Sequence, residues 1–202
     1  MVCRSRDVYG FSLIEMMMVV AILGVIAAIA IPMSGATLHY LKLSGDSRGL
    51  SNSFALAKMR AAANFTQARV FADLTSGDYY VQTCRTPSAS PCPRWDTQGG
   101  TVLLASTDSF GYGPITAPPS NTQSAIGQAS ACKDGSGHDI GNSACVIFNS
   151  RGTPVDTTGS PTGNYALYVT DSSAVYGVTI DTGGFVRMWR SNYTSTPNWV
   201  QQ

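Results

Sequence analysis

Four of the five cysteines lie beyond residue 80, as Cys84-x7-Cys92 and Cys132-x12-Cys145; Cys3 stands apart near the N-terminus. Thiols so placed form disulfides in an oxidising compartment or bind a metal. Neither spacing is the short pair of a zinc knuckle, so no metal is expected. Four cysteines allow three pairings; sequential pairing, Cys84–Cys92 and Cys132–Cys145, is favoured because both loops are short and polar. The two histidines carry little chemistry. His39 reads as an interface or solvated residue, and His138 sits in "KDGSGHDIGNSAC" between Asp134 and Asp139, a polar loop without the acidic spacing of a calcium site. No nucleophile elbow, zincin helix or phosphate-cradling loop is present, so neither an enzyme nor a cofactor is expected. The C-terminal "FVRMWRSNYTSTPNW" is richer. Arg187, Trp189, Arg190, Tyr193 and Trp199 combine phosphate-binding guanidinium groups with stacking rings, a chemistry suited to DNA. The alternative is a final strand with solvated arginines and packed aromatics. A net charge of +1 excludes recruitment of nucleic acid by a global field.

One acidic side chain is harder to place. Glu15 heads a run of 16 residues, Met16–Ile31, without a single polar side chain. Residues 11–33 as a helix would extend roughly 35 Å, enough to cross a hydrocarbon core. A carboxylate there costs about 2.5–3.5 kcal/mol on insertion scales, so it needs a partner. A secretory signal fits poorly, because its apolar core is shorter and carries no such charge.

Gly10-Phe11-Ser12-Leu13-Ile14-Glu15, followed by an apolar helix broken at Pro32, resembles the type IV prepilin motif of pilins and type II secretion pseudopilins. The resemblance implies that a prepilin peptidase cuts between Gly10 and Phe11 and that the new Phe11 amine is methylated. Tyr9 replaces the usual basic residue before the glycine. The resemblance also gives Glu15 a role: in a filament it meets the Phe11 amine of a neighbouring subunit. Further on, "CVIFNSRGTP", "YALYVTD" and "VYGVTIDTGGFVRMWR" are similar to the GspH/FimT family, as is Trp95 followed by Gly99, Gly100 and "TVLLAST". Some members bind DNA through a Gly-Arg-x-Arg motif; here the matching stretch is Gly184-Phe185-Val186-Arg187, without the first arginine. The function implied is that of a minor pilin or pseudopilin, an assembly component at the tip or in initiation of a type IV pilus or type II secretion pseudopilus. The alternative is a DNA-binding minor pilin for transformation. The implied partners are the peptidase, other major and minor pilins or pseudopilins, the inner membrane and, in the alternative, DNA.

The elements that must position these residues follow from composition and periodicity. Only 12% of residues are charged while glycine and proline number 20 and 10, which suits short strands and long loops of an exported domain. The expected fold class is α+β and pilin-like: a long N-terminal helix, half of it transmembrane, packed on a C-terminal antiparallel β-sheet domain. The expected divisions are a leader at 1–10, a transmembrane and assembly helix at 11–33, an amphipathic continuation at 34–73 and a periplasmic β-rich domain at 74–202, the whole a single-pass inner-membrane protein. The helix is expected to weaken at Pro32–Gly35 and again at Gly45 and Gly49. It then resumes with Leu50, Phe54, Ala57, Ala61, Phe65, Ala68 and Ala72 on one face and Lys58, Arg60 and Arg69 solvated. Strands are expected at Asp78–Cys84, Thr101–Ser106, Cys145–Asn149, Tyr165–Asp171, Val175–Asp181 and Phe185–Arg190, with a tight hairpin at Asp181–Gly184. Thr86–Gly100 and Thr107–Ala144 read as long loops, the second functional or mobile.

Overall fold

The apolar run opens a helix, α1, that spans Leu13–Ala63 without a break. A computed structural model describes residues 11–86 and 91–202, and of residues 30–36 the backbone alone. The leader and the scissile Gly10 lie outside the described residues. The chain divides into two compact units, one ending at Tyr40 and the other spanning Leu41–Gln202. The backbone is helical through Pro32–Gly35 and through Gly45–Gly49, so neither expected weak point ends the helix.

The two glycines of α1 in the second unit differ in purpose. A Cβ on Gly49 would come within 2.6 Å of the Tyr79 hydroxyl, whereas nothing lies within 4 Å of one on Gly45. Gly49 therefore lets the buried Tyr79 cross the helix. Alanine is the better helix former by about 0.8–1.0 kcal/mol. Gly45→Ala should accordingly raise the thermal midpoint by about 2–4 °C, and Gly49→Ala should not. Equal shifts, measured by thermal denaturation of the full chain in detergent, would refute this account of Gly49.

Further along, Leu43, Leu50, Phe54, Ala57 and Ala61 form the buried stripe of α1. The helix stops nine residues before the expected Ala72. Thr66 N donates to Ala61 O, Phe65 N donates to Ala62 O, and Phe65 takes φ 49°. This is a Schellman closure with an aromatic residue where glycine is usual. The stretch expected to continue the helix is instead β1 (Ala68–Asp73). Its partners are β2 (Asp78–Cys84) and β5 (Ser143–Phe148), both antiparallel. With strand period, Ala68, Val70 and Ala72 join the main core, while Arg69 and Phe71 turn to the opposite face.

Two five-stranded sheets complete the domain. The first runs β3-β2-β1-β5-β6, with β3 at Trp95–Leu103 and β6 at Pro154–Val155. The second runs β10-β9-β8-β7-β4, from β10 (Val200–Gln201) through β9 (Val186–Asn192), β8 (Ala174–Ile180) and β7 (Tyr165–Thr170) to β4 (Ser109–Phe110). Both are antiparallel, so the architecture is α+β. Helix residues, Val70, Val146 and Phe148 of the first sheet, and Leu167, Tyr176 and Val178 of the second share one core. Each such side chain stabilises by roughly 1.5–3 kcal/mol on burial. The β8–β9 hairpin closes at Asp181–Phe185, with Gly184 at φ 80°. A Cβ there would lie 2.4 Å from Gly152 O, so only glycine fits.

The long 107–144 segment is pinned rather than free. β4 pairs with β7, and just past it Gly111 N and Gln128 Nε2 both donate to Tyr168 O. Tyr168 N donates to Gln128 Oε1 at 2.8 Å, so one side-chain amide serves the β7 edge where β4 ends. Farther on, Ala129 N donates to Ala166 O, and Cys132 is joined to Cys145 of β5. The segment thus seals an edge and covers sheet faces.

Candidate functional site

At the head of α1, Ser12 O accepts from Glu15 N at 3.0 Å and from Met16 N at 3.2 Å, which places Glu15 in the first helical turn. A carboxylate is favourable at that positive helix end. Every described side chain from Phe11 to Ile29 is exposed. A helix apolar all round is buried by other chains or by lipid when it functions. Among the described residues, no helix is long and apolar enough to cross a membrane. The apolar run continues in sequence through Ile31, beyond the described side chains. Pro32 lies within helical backbone, its side chain outside the description.

The basic-aromatic tail does not assemble into one patch. On β9, Val186 and Met188 pack against the main core, so alternation puts Arg190 on their face and Arg187 with Trp189 on the other. Arg187 Nη2 lies 3.7 Å from Asp181 Oδ2, a partner that offsets its charge. Trp189 Nε1 donates to Thr179 Oγ1 at 2.9 Å. Trp199 packs at 5.8 Å from Tyr168 and donates to Ala117 O, and Tyr193 packs against the same cluster. Tyr193 and Trp199 therefore serve packing, and the two arginines named for DNA face opposite ways.

The polar loop around His138 is occupied with its own turn. Asp134 Oδ1 accepts from Ser136 N and His138 N, and His138 Nδ1 lies 3.6 Å from Asp134 Oδ2. Those backbone hydrogen bonds, chiefly from His138, hold the Asp134 carboxyl below its ordinary value. Lys133 Nζ meets Asp139 Oδ1 at 2.7 Å. Among the described residues, no three His, Cys, Asp or Glu side chains gather as metal ligands. A cavity of about 310 Å³ opens beside Lys133, Asp139, Asp156 and Tyr165. Its charged groups are already bonded, Lys133 to Asp139 and Asp156 to Thr158 and Ser160. His39 is exposed on α1.

Two disulfides tie loops to strands: Cys84–Cys92 at the end of β2, and Cys132–Cys145 between the 107–144 segment and β5. Beside them lies a residue whose sequence neighbourhood misplaced it. Arg69, expected to be solvated on a helix, is a buried strand residue, 4% exposed. Its Nε donates to Gln82 Oε1 and its Nη1 to Lys133 O, both at 2.8 Å. The guanidinium sits 4.2 Å from the Trp95 ring centroid and 5.6 Å from that of Phe71. Burial pushes its pKa down to about 10, which leaves it charged at neutral pH. Lys58, also expected to be solvated, is half-buried and donates to Gly184 O at 2.6 Å, fastening α1 to the β8–β9 turn. Arg60 is exposed, as expected.

A family model for the prokaryotic N-terminal methylation motif matches residues 5–31. No curated protein matches the chain. Among solved structures, the chain is similar to the minor pseudopilin EpsH from the Type 2 Secretion System of Vibrio cholerae. That likeness has a TM-score of 0.37 and 7% identity, and covers 80% of this chain and 96% of that one.

Proposed function

We propose that this chain is a structural subunit of the pilin or pseudopilin kind, matured at Gly10–Phe11 and built into a filament through α1. The observation that carries the reading is the N-terminal methylation motif on residues 5–31, which covers the start of a helix whose side chains from Met16 to Ile29 are apolar and exposed. In the finer reading, residues 11–33 hold the precursor in the inner membrane with the β-domain outside, and the mature subunit acts at the tip or in initiation of a pilus or pseudopilus. Two disulfides suit an oxidising compartment and support export of the domain. Removal of the leader creates a cationic amine on Phe11, four residues before Glu15. Within a bundle of low dielectric, that amine and the Glu15 carboxylate of a neighbour satisfy each other.

Intact-mass and N-terminal analysis of protein from the native membrane tests the reading. The expected chain begins with N-methylated Phe11, and a bulky replacement of Gly10 traps the precursor. Retention of Met1 in a working assembly would overturn it.

A further inference from the structure

Asp46 of α1 and Asp108, on the turn between β3 and β4, are both tied into the place where the helix docks. Asp46 Oδ2 accepts from Ala105 N at 2.7 Å, which bonds the helix to that turn. Asp108 is only 9% exposed; Thr107 Oγ1 donates to its Oδ1 at 2.7 Å, while its Oδ2 is buried with no hydrogen-bond donor. Asp108 N in turn donates to Ala105 O at 2.8 Å, so the residue whose N–H holds Asp46 also anchors Asp108, and Asp46 is near enough to raise the Asp108 carboxyl. Asp171, at the β7–β8 turn, adds another negative charge, and the Tyr79 hydroxyl of β2 feels the charge of Asp46. Asp171 Oδ1 is engaged by Ser173 and Ala174.

A buried carboxylate oxygen with no donor, set beside a second carboxylate, is costly when both are ionised. A proton on Asp108 would supply the missing donor and remove the repulsion. We propose that Asp108 carries a proton directed at the Asp46 carboxylate and so forms an acid-tightened latch between α1 and the β3–β4 turn. Burial is the main force raising the Asp108 carboxyl, to about 6; Asp46 and Asp171 add to it and Thr107 opposes it. The folded protein then keeps a proton that the unfolded chain releases, in the interval from about pH 4 to about pH 6. Stability therefore rises as pH falls through that interval.

The test uses the full chain in detergent micelles, with urea unfolding followed by fluorescence of Trp95, Trp189 and Trp199. Between about pH 7 and about pH 4.5 the unfolding constant of the wild type should fall about tenfold or more. In Asp108→Asn the amide donates to Asp46 at every pH, so this part of the fall should vanish; comparison of the two proteins cancels other titrating groups. Carbon-13 titration of the wild-type aspartate carboxyls gives a second readout that needs no variant to fold, and one carboxyl should titrate near pH 6. The same pH slope in both proteins, or no aspartate titrating above about pH 5, overturns the latch.

Discussion

Arg69→Met should destabilise the β-domain by about 2–4 kcal/mol, seen as a fall of roughly 5–12 °C in the thermal midpoint. Two effects compete. Methionine relieves the burial of a guanidinium that has no carboxylate among its bonded partners, and replacing buried charge by apolar groups can be neutral or favourable. That benefit requires the polar partners to leave as well. Here Gln82 Oε1 and Lys133 O would stay behind, and each buried acceptor left without a donor costs about 1–3 kcal/mol. Gln82 keeps its own bond to Thr97, so it has little freedom to turn away. Loss of the stack on Trp95 adds about 0.5–2 kcal/mol. The unsatisfied partners outweigh the relieved charge. Hydrogen exchange should quicken first near residues 84–95 and 130–140, the two disulfide-closed regions that the guanidinium joins. A midpoint within about 1 °C of wild type would mean that the guanidinium is a passive passenger between two stapled loops.

The misplacement of Arg69 shows where sequence reasoning gives out. Ala68 and Ala72 satisfy both a helical step of four and a strand step of two, so the alanine stripe after Leu50 reads as one helix. Choosing strand for Ala68–Asp73 depends on β2 and β5 flanking it; β2 follows after a short turn, but β5 lies far along the chain. Once the strand replaces the helix, Arg69 turns away from the helix-packed face and becomes a buried clamp. Arg187 and Arg190 carry the opposite lesson. Their stretch was expected to be a strand, and a separation of three puts such residues on opposite faces, so their division was already legible. The six expected strands were legible from alternation, and the nearby cysteine pairs from their short loops. β3 was caught only in its last three residues, Thr101–Leu103, because Gly99 and Gly100 interrupt the pattern where its pairing with β2 shifts register. Gln128, Lys58 and the Asp46–Asp108 pair left no local mark. Each acts on backbone or side chains brought near only by the sheets, and a lone glutamine in a loop looks like any other loop residue.

Glu15→Val should leave the chain in the membrane yet remove most of it from assembled filaments, by about tenfold or more. Valine is easier to insert, since loss of an acidic side chain relieves about 2.5–3.5 kcal/mol on insertion scales. The membrane level of the variant should equal or exceed that of the wild type. Assembly goes the other way. In the proposed bundle, deletion of the carboxylate leaves the Phe11 amine of a neighbour charged and unpaired, and breaking such a buried pair costs about 3–5 kcal/mol. Each 1.4 kcal/mol is about a factor of ten in partition, so even a water-softened penalty should be visible. In the proposed bundle the partner belongs to another subunit, a reading that the exposure of Glu15 and of the surrounding apolar side chains supports. Immunoblots of sheared or cross-linked assemblies against total membrane measure the ratio directly. Glu15→Gln separates charge from shape: it keeps nearly the same volume and should still assemble poorly if the ion pair governs entry. Equal incorporation of wild type and Glu15→Val would mean that the glutamate has no part in assembly, and that the apolar surface of α1 alone recruits the subunit.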